Sequence, residues 1–186
     1  MPGNYRHYGW ECSPYSAKTR TYLRFKNIPH DDIHPSIITM KRVIEKKVGF
    51  IVMPVLICPD GQVVQDTSDI IDHLESRYAE PSAIPATPKQ KITSSLMELF
   101  GDEWMPIIAM HTRWSFEKNR AYIRDEFGRC ALPWVPVALS RQVVKPMASK
   151  MASYLPILGI DQATRPAIDQ WLQELLEQLD VHFEQH

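Results

Sequence analysis

The sequence has little cysteine, no long hydrophobic run and almost no net charge. Its 186 residues include 21 basic and 22 acidic side chains, which leave a formal net charge of −1. A chain with so little excess charge has no field that would gather a polyanion, so we expect no nucleic-acid partner. The longest apolar stretch, about Ile51 to Cys58, contains Pro54 and is far shorter than the roughly 20 residues that cross a bilayer. We therefore expect no association with a membrane.

The cysteines and the N-terminus both favour a reducing compartment. Cys12, Cys58 and Cys130 are odd in number, so they cannot all form disulfides within one chain. The first residues lack the basic start and the apolar run of a secretory signal. These features predict a cytoplasmic protein.

Motifs for several common chemistries are missing as well. The sequence contains no glycine-rich phosphate loop, no Gly-x-Ser-x-Gly elbow and no Cys-x-x-Cys pair. The spacing of His30 and His34 would suit two metal ligands on a helix, but Pro29 and Pro35 make this stretch extended and no cysteine lies nearby. We therefore expect no bound metal.

Residues 4–80 alternate short apolar runs with helical patterns, as expected for an α/β unit rather than a helical bundle. Ser13 is a favoured cap and Pro14 a favoured first residue, which predicts a helix start at this point. The elements predicted before Gly49 are a strand in Asn4–Tyr8, a helix over Pro14–Lys26, a strand near Asp31–His34 and a helix over Thr39–Lys47.

A β-hairpin is the clearest signal in this half. Phe50–Cys58 and Gln62–Gln65 are rich in β-forming residues and flank an Asp60-Gly61 turn. Pro54 is unusual there because proline removes a hydrogen-bond donor from a sheet. We expect it to be the first residue of the strand or to lie in a cis turn. The next helix begins with the capping residues around Thr67.

The second half of the chain is predicted to be helical. Residues 81–88 contain three prolines, which indicates a linker between a domain over residues 1–80 and a helical domain over residues 89–186. Helical patterns cover 88–112, 116–127, 137–152 and a last helix that begins near Pro166. In this last helix, apolar residues recur every three or four positions and predict one broad buried face: Ile168, Trp171, Leu172, Leu175, Leu176, Leu179 and Phe183.

The segment Cys12-Ser13-Pro14-Tyr15-Ser16 lies where the first strand gives way to a helix, so its amides and side chains meet at the positive end of that helix. A hydroxyl in this place can donate a hydrogen bond to the sulfur of a bound thiol and lower the pKa of that thiol. Ser13 can equally be a plain helix cap, and Cys12 can be a nucleophile or an inert packing residue. Residue types alone leave both questions open.

Several short motifs follow one another along the first half of the chain: Ser13–Arg20 after the first strand, Asn27-Ile28-Pro29, Met53–Leu56 and Val64–Ile71. In this order they resemble the thioredoxin-like domain of cytosolic glutathione transferases, over about residues 4–80. The resemblance implies an α/β thioredoxin-like N-terminal domain, with a mixed four-stranded sheet and a cis proline before strand 3, followed by an all-α C-terminal domain. It also implies a glutathione S-transferase (GST) that binds glutathione as co-substrate and conjugates its thiolate to a small electrophile.

The resemblance also implies which residues bind glutathione. The backbone of Met53, which precedes the cis Pro54, would pair with the cysteinyl part of the ligand. Asp66 and Thr67 would hold the γ-glutamyl group at the start of the next helix. Asp66 stands where the family usually has glutamate or glutamine, so it keeps an acid at this position but with a shorter reach.

The activating residue follows from the same alignment, with two positions open. Ser13 would stabilise the glutathione thiolate in classes where the residue before the helix-starting proline acts. In other classes the active residue lies one place earlier, which points to Cys12. Two further interpretations also stay open: a monothiol glutathione-dependent reductase centred on Cys12, and a non-catalytic protein that uses the fold for protein interaction.

The helical domain should supply the pocket for the electrophile. A patch rich in aromatic residues and methionine extends from Trp104 to Trp114, and we expect Trp104, His111 and Trp114 to line that pocket. The same patch would suit a domain interface. The resemblance further implies a homodimer. Family members continue beyond the helix that ends this chain, so the helical domain is expected to be incomplete at His186.

Overall fold

The first half of the chain forms a mixed four-stranded sheet in the computed structural model, which describes residues 3–185. Its strands are β1 (Tyr5–Tyr8), β2 (His30–Ile33), β3 (Val55–Ile57) and β4 (Val63–Gln65). They lie in the order β2-β1-β3-β4, with β2 parallel to β1 and with β3 antiparallel to both of its neighbours. The predicted thioredoxin-like fold with a mixed four-stranded sheet is confirmed.

Three helices cover this sheet, and the first begins where the sequence predicts. The Ser13 side chain caps it by accepting a hydrogen bond from the N–H of Ser16. The third is capped by Asp66, one residue earlier than expected. The helices are α1 (Pro14–Phe25), α2 (37–48, with a π-helical segment at Met40–Ile44) and α3 (Thr67–Glu75).

Side chains of β3 hold helices on both faces of the sheet, because neighbouring residues of a strand point to opposite sides. Leu56 is fully buried among residues of α1 and α3, including Leu23 and Ile70. Val55 and Ile57 are buried in a second cluster that continues into the helical half of the chain. The short strand therefore connects the two cores.

The hairpin is confirmed, but its first strand is shorter than predicted. The Met53–Pro54 peptide is cis, which was one of the two expectations for Pro54. Pairing with β1 begins at Val55, which lies opposite Tyr8. Because proline has no N–H to contribute to the ladder, residues 50–54 form irregular chain ahead of the strand. The turn contains Gly61 at φ +90°, a conformation that glycine adopts readily.

Four helices form the second half, in agreement with the predicted helical patterns. Residues 76–87, which precede them, form neither helix nor strand. Among residues 3–185, no helix has both the length and the apolar character needed to cross a membrane. The helices are α4 (88–114, in which a π-helical segment Phe100–Trp104 joins Pro88–Leu99 to Met105–Trp114), α5 (Glu117–Ala131), α6 (Val137–Ala152) and α7 (Arg165–Gln185).

The broad buried face predicted for α7 is only half right. Ile168 is buried, and Trp171, Leu172 and Leu175 pack against the core from a half-buried position. Further along the helix Leu176 and Val181 are about half exposed, and Phe183 is 74% exposed. Helical spacing defines a face but not how much of its length another element covers, so periodicity overestimated the burial.

A buried polar network lies beneath the N-terminus of α1. His7 is fully buried, with Nδ1 2.8 Å from Asp32 Oδ1 and Nε2 2.8 Å from Thr19 Oγ1. Burial lowers the pKa of His7, so the neutral ring donates from Nδ1 to the carboxylate and accepts the Thr19 hydroxyl. Burial also tends to raise the pKa of Asp32, but bonds from Arg20 and His7 outweigh it and lower this pKa.

Asp32→Asn is expected to lower the free energy of unfolding by about 3 kcal/mol, because it leaves the Arg20 guanidinium buried without its closest counter-charge. Urea unfolding followed by circular dichroism at pH 7 measures the change. Asp31→Asn is the matched control, since Asp31 is exposed and accepts a hydrogen bond from Asn4, and it should change stability by less than about 0.5 kcal/mol. Equal losses in the two variants would contradict the assignment.

Gly9 allows β1 and α1 to approach closely. A Cβ at Gly9 would lie 2.6 Å from both Cβ and Oγ of Ser16. Gly9→Ala should therefore push the first turn of α1 aside and cost about 1–3 kcal/mol by overpacking, measured by the same urea titration. Gly101→Ala, where no atom lies within 4 Å of the added Cβ, should instead be neutral or stabilise by up to about 1 kcal/mol. A neutral Gly9→Ala would show that this approach is not tight.

Candidate functional site

A cleft of about 380 Å³ lies between the N-terminus of α1 and the helices α4, α5 and α6. Its floor comes from the loop between β1 and α1 and from the irregular chain before β3. Its helical wall is rich in methionine. The lining residues are Trp10, Cys12, Ser13, Pro14, Tyr15, Ile51, Val52, Met53, Pro106, Ala109, Met110, Arg113, Phe127, Met147 and Met151.

Ser13 is half-buried in this cleft and has a hydroxyl that can still donate. Its Oγ accepts the N–H of Ser16 at 3.2 Å, which is the capping bond of α1. An oxygen that accepts in this way keeps its own O–H for an outside acceptor. The partial positive charge at the N-terminus of α1 also stabilises a negative charge placed next to Ser13.

Cys12, the alternative activating residue, lines the same cleft with a less reactive thiol. Burial raises the pKa of the Cys12 thiol, and the positive charge of Arg113 offsets this only in part. Arg113 is held there because its Nη2 donates to the Cys12 carbonyl oxygen at 2.8 Å. A thiol with a raised pKa is protonated near neutral pH, which disfavours it as a nucleophile.

Met53 and Pro54, which the resemblance names as glutathione-binding residues, lie on the irregular chain before β3. Met53 lines the cleft, and the cis bond to the buried Pro54 follows it. The ladder between β1 and β3 begins at Val55, so the peptide groups of Met53 lie outside it. Polar backbone groups at the edge of a cleft can pair with the backbone of a peptide-like ligand.

Asp66 and Thr67 lie outside the lining of the cleft, beside Lys18. Asp66 is exposed at φ +83°, and its Oδ1 accepts the N–H of Ser68 at 2.9 Å. Thr67 is buried, and its Oγ1 accepts a hydrogen bond from Lys18 Nζ at 3.3 Å. Lys18 also borders a neighbouring cavity of about 360 Å³ that contains Pro14 and Tyr15, so the two groups of predicted residues flank the first turns of α1.

Lys18 is a residue of this region that the sequence reasoning did not single out. Its Nζ lies 2.7 Å from Glu98 Oε1 and 2.6 Å from Asp102 Oδ2, both on α4. It therefore connects the start of α3 to the helical half. The available signal was its position on α1, one turn after the cap, where a long cation reaches neighbouring elements.

The three predicted acceptor-pocket residues are elsewhere. Trp104 is 56% exposed in the π-helical segment, outside the cleft lining. His111 is fully buried, bonded to Ser115 Oγ at 2.9 Å and to Asp169 Oδ1 at 3.0 Å. Trp114 is buried in the helical core against Phe127. The patch from Trp104 to Trp114 is divided between two faces of α4, because residues three apart lie on the same face of a helix and immediate neighbours do not.

The face of α4 that does line the cleft carries Pro106, Met110 and Arg113. Their spacing of four and three residues is helical, so the sequence contained a signal for this face. Choosing it over the face of His111 and Trp114 required the packed structure.

One group of possible metal ligands occurs near the cleft. Glu11, Asp32 and His34 bring three ligand atoms within 4.8 Å of one another. Arg20 lies among them, with Nε 2.5 Å from Asp32 Oδ2 and Nη1 3.6 Å from Glu11 Oε2. Since the guanidinium already balances these carboxylates, the group is an ion-pair network.

Comparison with known proteins identifies the family of the N-terminal domain. Residues 8–82 match the family model "Glutathione S-transferase, N-terminal domain". This stretch holds the β1–α1 loop, the cis Met53–Pro54 bond and the start of α3.

Solved structures of similar fold extend the match over most of the chain. A Tau class glutathione S-transferase from mango is 16% identical, with 85% of this chain and 100% of that chain covered and a TM-score of 0.53. A glutathione S-transferase from Methylobacterium radiotolerans, in complex with glutathione sulfonate, is 16% identical over 82% of this chain and 90% of that chain, at a TM-score of 0.51. One from Methylobacillus flagellatus with glutathione bound is 16% identical over 89% and 98%, also at 0.51.

At such low identity the solved structures establish the fold, and the family rests on the match of the first domain. That match covers the segment in which the cap of α1, the cis proline and the capped start of α3 were found. Residues 8–82 therefore form a glutathione S-transferase N-terminal domain.

Proposed function

We propose that this protein binds glutathione along the first turns of α1 and transfers its thiolate to a small electrophile. The observation that carries the proposal is the Ser13 hydroxyl, which caps α1 and lies in the same cleft as Met53. Two solved structures of similar fold hold glutathione or glutathione sulfonate, which supports the same class of ligand here.

The chemistry follows from the position of Ser13. Its O–H would donate to the glutathione sulfur, and the N-terminus of α1 would add its partial positive charge. Both favour the thiolate over the thiol, so the pKa of the bound thiol falls. The thiolate then forms a C–S bond with an electrophilic carbon. In a substitution, the leaving group departs with the electrons of its bond to that carbon.

The rest of glutathione can be placed by charge. The peptide of Met53 would pair with the cysteinyl part of the ligand. The exposed carboxylate of Asp66 would accept from the α-ammonium of the γ-glutamyl group. The N–H groups in the first turn of α3 would face the α-carboxylate.

The raised pKa of Cys12 argues against the monothiol reductase, because that reaction needs a thiolate at the attacking cysteine. We therefore assign the activating role to Ser13. A non-catalytic protein that uses the fold for protein interaction is the remaining alternative, and it predicts no conjugation.

The homodimer proposed from the resemblance has physical support in α4. The segment Pro88–Leu99 has no buried residue, and Ile92, Leu96 and Leu99 form an apolar stripe at helical spacing, each more than half exposed. A helix that exposes such a stripe is suited to a protein partner.

Ser13→Ala is expected to lower kcat/KM for conjugation about 10–100-fold, since a hydrogen bond to a charged group contributes about 1.5–3 kcal/mol. Glutathione affinity should change less than about threefold, because only one contact to the sulfur is lost. Conjugation of 1-chloro-2,4-dinitrobenzene and calorimetry with glutathione measure the two quantities.

Two controls keep the Ser13→Ala result interpretable. Thr87→Ala removes the cap of α4 at a similar cost of about 1 kcal/mol and should leave conjugation unchanged. Cys12→Ala should retain most of the activity. Absence of glutathione binding at millimolar ligand, or loss of conjugation in Cys12→Ala but not in Ser13→Ala, would overturn the proposal.

Asp66→Asn is expected to weaken glutathione binding about tenfold, which corresponds to about 1.4 kcal/mol. Asparagine tolerates a positive φ and can still accept the N–H of Ser68, so the variant removes the charge and keeps the cap. The melting temperature should therefore stay the same while calorimetry shows the weaker affinity. Asp69→Asn, an equal change of charge in the first turn of the same helix, should bind like the parent protein; equal weakening in both would refute a direct contact.

A further inference from the structure

Arg113 is the one charged residue in the lining of the cleft, among the residues that the structure describes. Apart from Ser13 and Cys12, its neighbours there are aromatic, aliphatic or methionine side chains, with Met110 on the same helix face. A cation in such surroundings is unusual, because apolar side chains offer it no counter-charge.

The guanidinium of Arg113 is held in place but not neutralised. Its Nη2 donates to the Cys12 carbonyl oxygen at 2.8 Å, which uses one of five N–H groups. Within residues 3–185, no carboxylate oxygen pairs with Arg113. The arginines on α5 and α6 differ in this respect, since Arg124, Arg129 and Arg141 each pair with an acidic residue.

The contact to Cys12 also fixes where the charge lies relative to the proposed reaction. Cys12 directly precedes Ser13, so a molecule that reacts next to the Ser13 hydroxyl lies near the guanidinium. Arginine stays protonated at any working pH and presents N–H groups in a planar fork that matches a carboxylate. The half-buried position reduces the competition from water.

We propose that Arg113 makes the cleft selective for an apolar electrophile that carries a carboxylate. The apolar walls would bind the body of the molecule, and the Arg113 fork would bind the carboxylate and orient the electrophilic carbon toward the sulfur. The choice of substrate rests on the proposed transferase function, but the binding preference can be measured without any turnover.

The first experiment compares two unreactive probes, naphthalene-2-carboxylate and its methyl ester, by quenching of tryptophan fluorescence. The protein should bind the acid at least about tenfold more tightly than the ester. Arg113→Gln should abolish this preference, and Arg113→Lys should keep part of it because it retains the charge without the fork. Arg24→Gln is the matched control, since it removes an exposed cation at the far end of α1 and should leave the preference intact.

The second experiment uses 4-(bromomethyl)benzoate and its methyl ester as electrophiles. The glutathione sulfur forms a bond to the benzylic carbon, and bromide leaves with the electron pair of the C–Br bond. Arg113→Gln should lower kcat/KM for the acid at least about tenfold and leave that for the ester within about twofold. Calorimetry with glutathione alone should give the same affinity in the variant and the parent protein.

The outcomes separate this inference from the proposed function. Equal binding of acid and ester by the unmodified protein overturns the inference, whatever the variants do. A tenfold loss of glutathione affinity in Arg113→Gln, with the acid preference unchanged, also overturns it, because Arg113 would then hold a carboxylate of glutathione. If the acid preference depends on Arg113 while glutathione fails to bind, the anion site stands and the transferase function falls.

Discussion

The docking of α4 onto the start of α1 is the contact on which the rest of the structure depends. Pro106 has no N–H, so it cannot donate to the Asp102 carbonyl four residues earlier in α4. The Tyr15 hydroxyl donates to that carbonyl at 2.9 Å. Further along α4, Arg113 donates to the Cys12 carbonyl oxygen in the loop between β1 and α1. The helical half is therefore attached to the turn that presents Ser13, and the cleft exists because these two parts meet.

The same turn is supported from below by polar groups that the sheet buries. Gly9 brings the end of β1 against Ser16, and His7 bonds to Thr19 in the second turn of the helix. The position of Ser13 is thus set by packing on both sides. This arrangement suits the proposed role of the Ser13 hydroxyl, since small displacements weaken a hydrogen bond steeply.

Local signals predicted the elements well, because caps, turns and periodicity act over a few residues. Ser13 and Pro14 located the start of α1, and the Asp60-Gly61 turn located the hairpin. The signals failed where the answer depended on distant residues. The apolar stripe of α7 predicted one face of the helix but not how much of that face other elements bury, and Phe183 is exposed. Met53, which only the resemblance to a known family singled out, lies in the lining of the cleft.

The sequence by itself determined the helix start at Ser13 and Pro14, the hairpin and the helical second half, because each depends on the chemistry of neighbouring residues. Only the tertiary structure decided which face of α4 meets the cleft. The π-helical segment Phe100–Trp104 adds a residue to the turn, and each added residue rotates the remainder of the helix by about 100°. In the folded protein His111 and Trp114 are buried in the helical core, and Arg113 lies in the cleft with Ser13. Apolar burial across the bundle outweighs any local preference for one face.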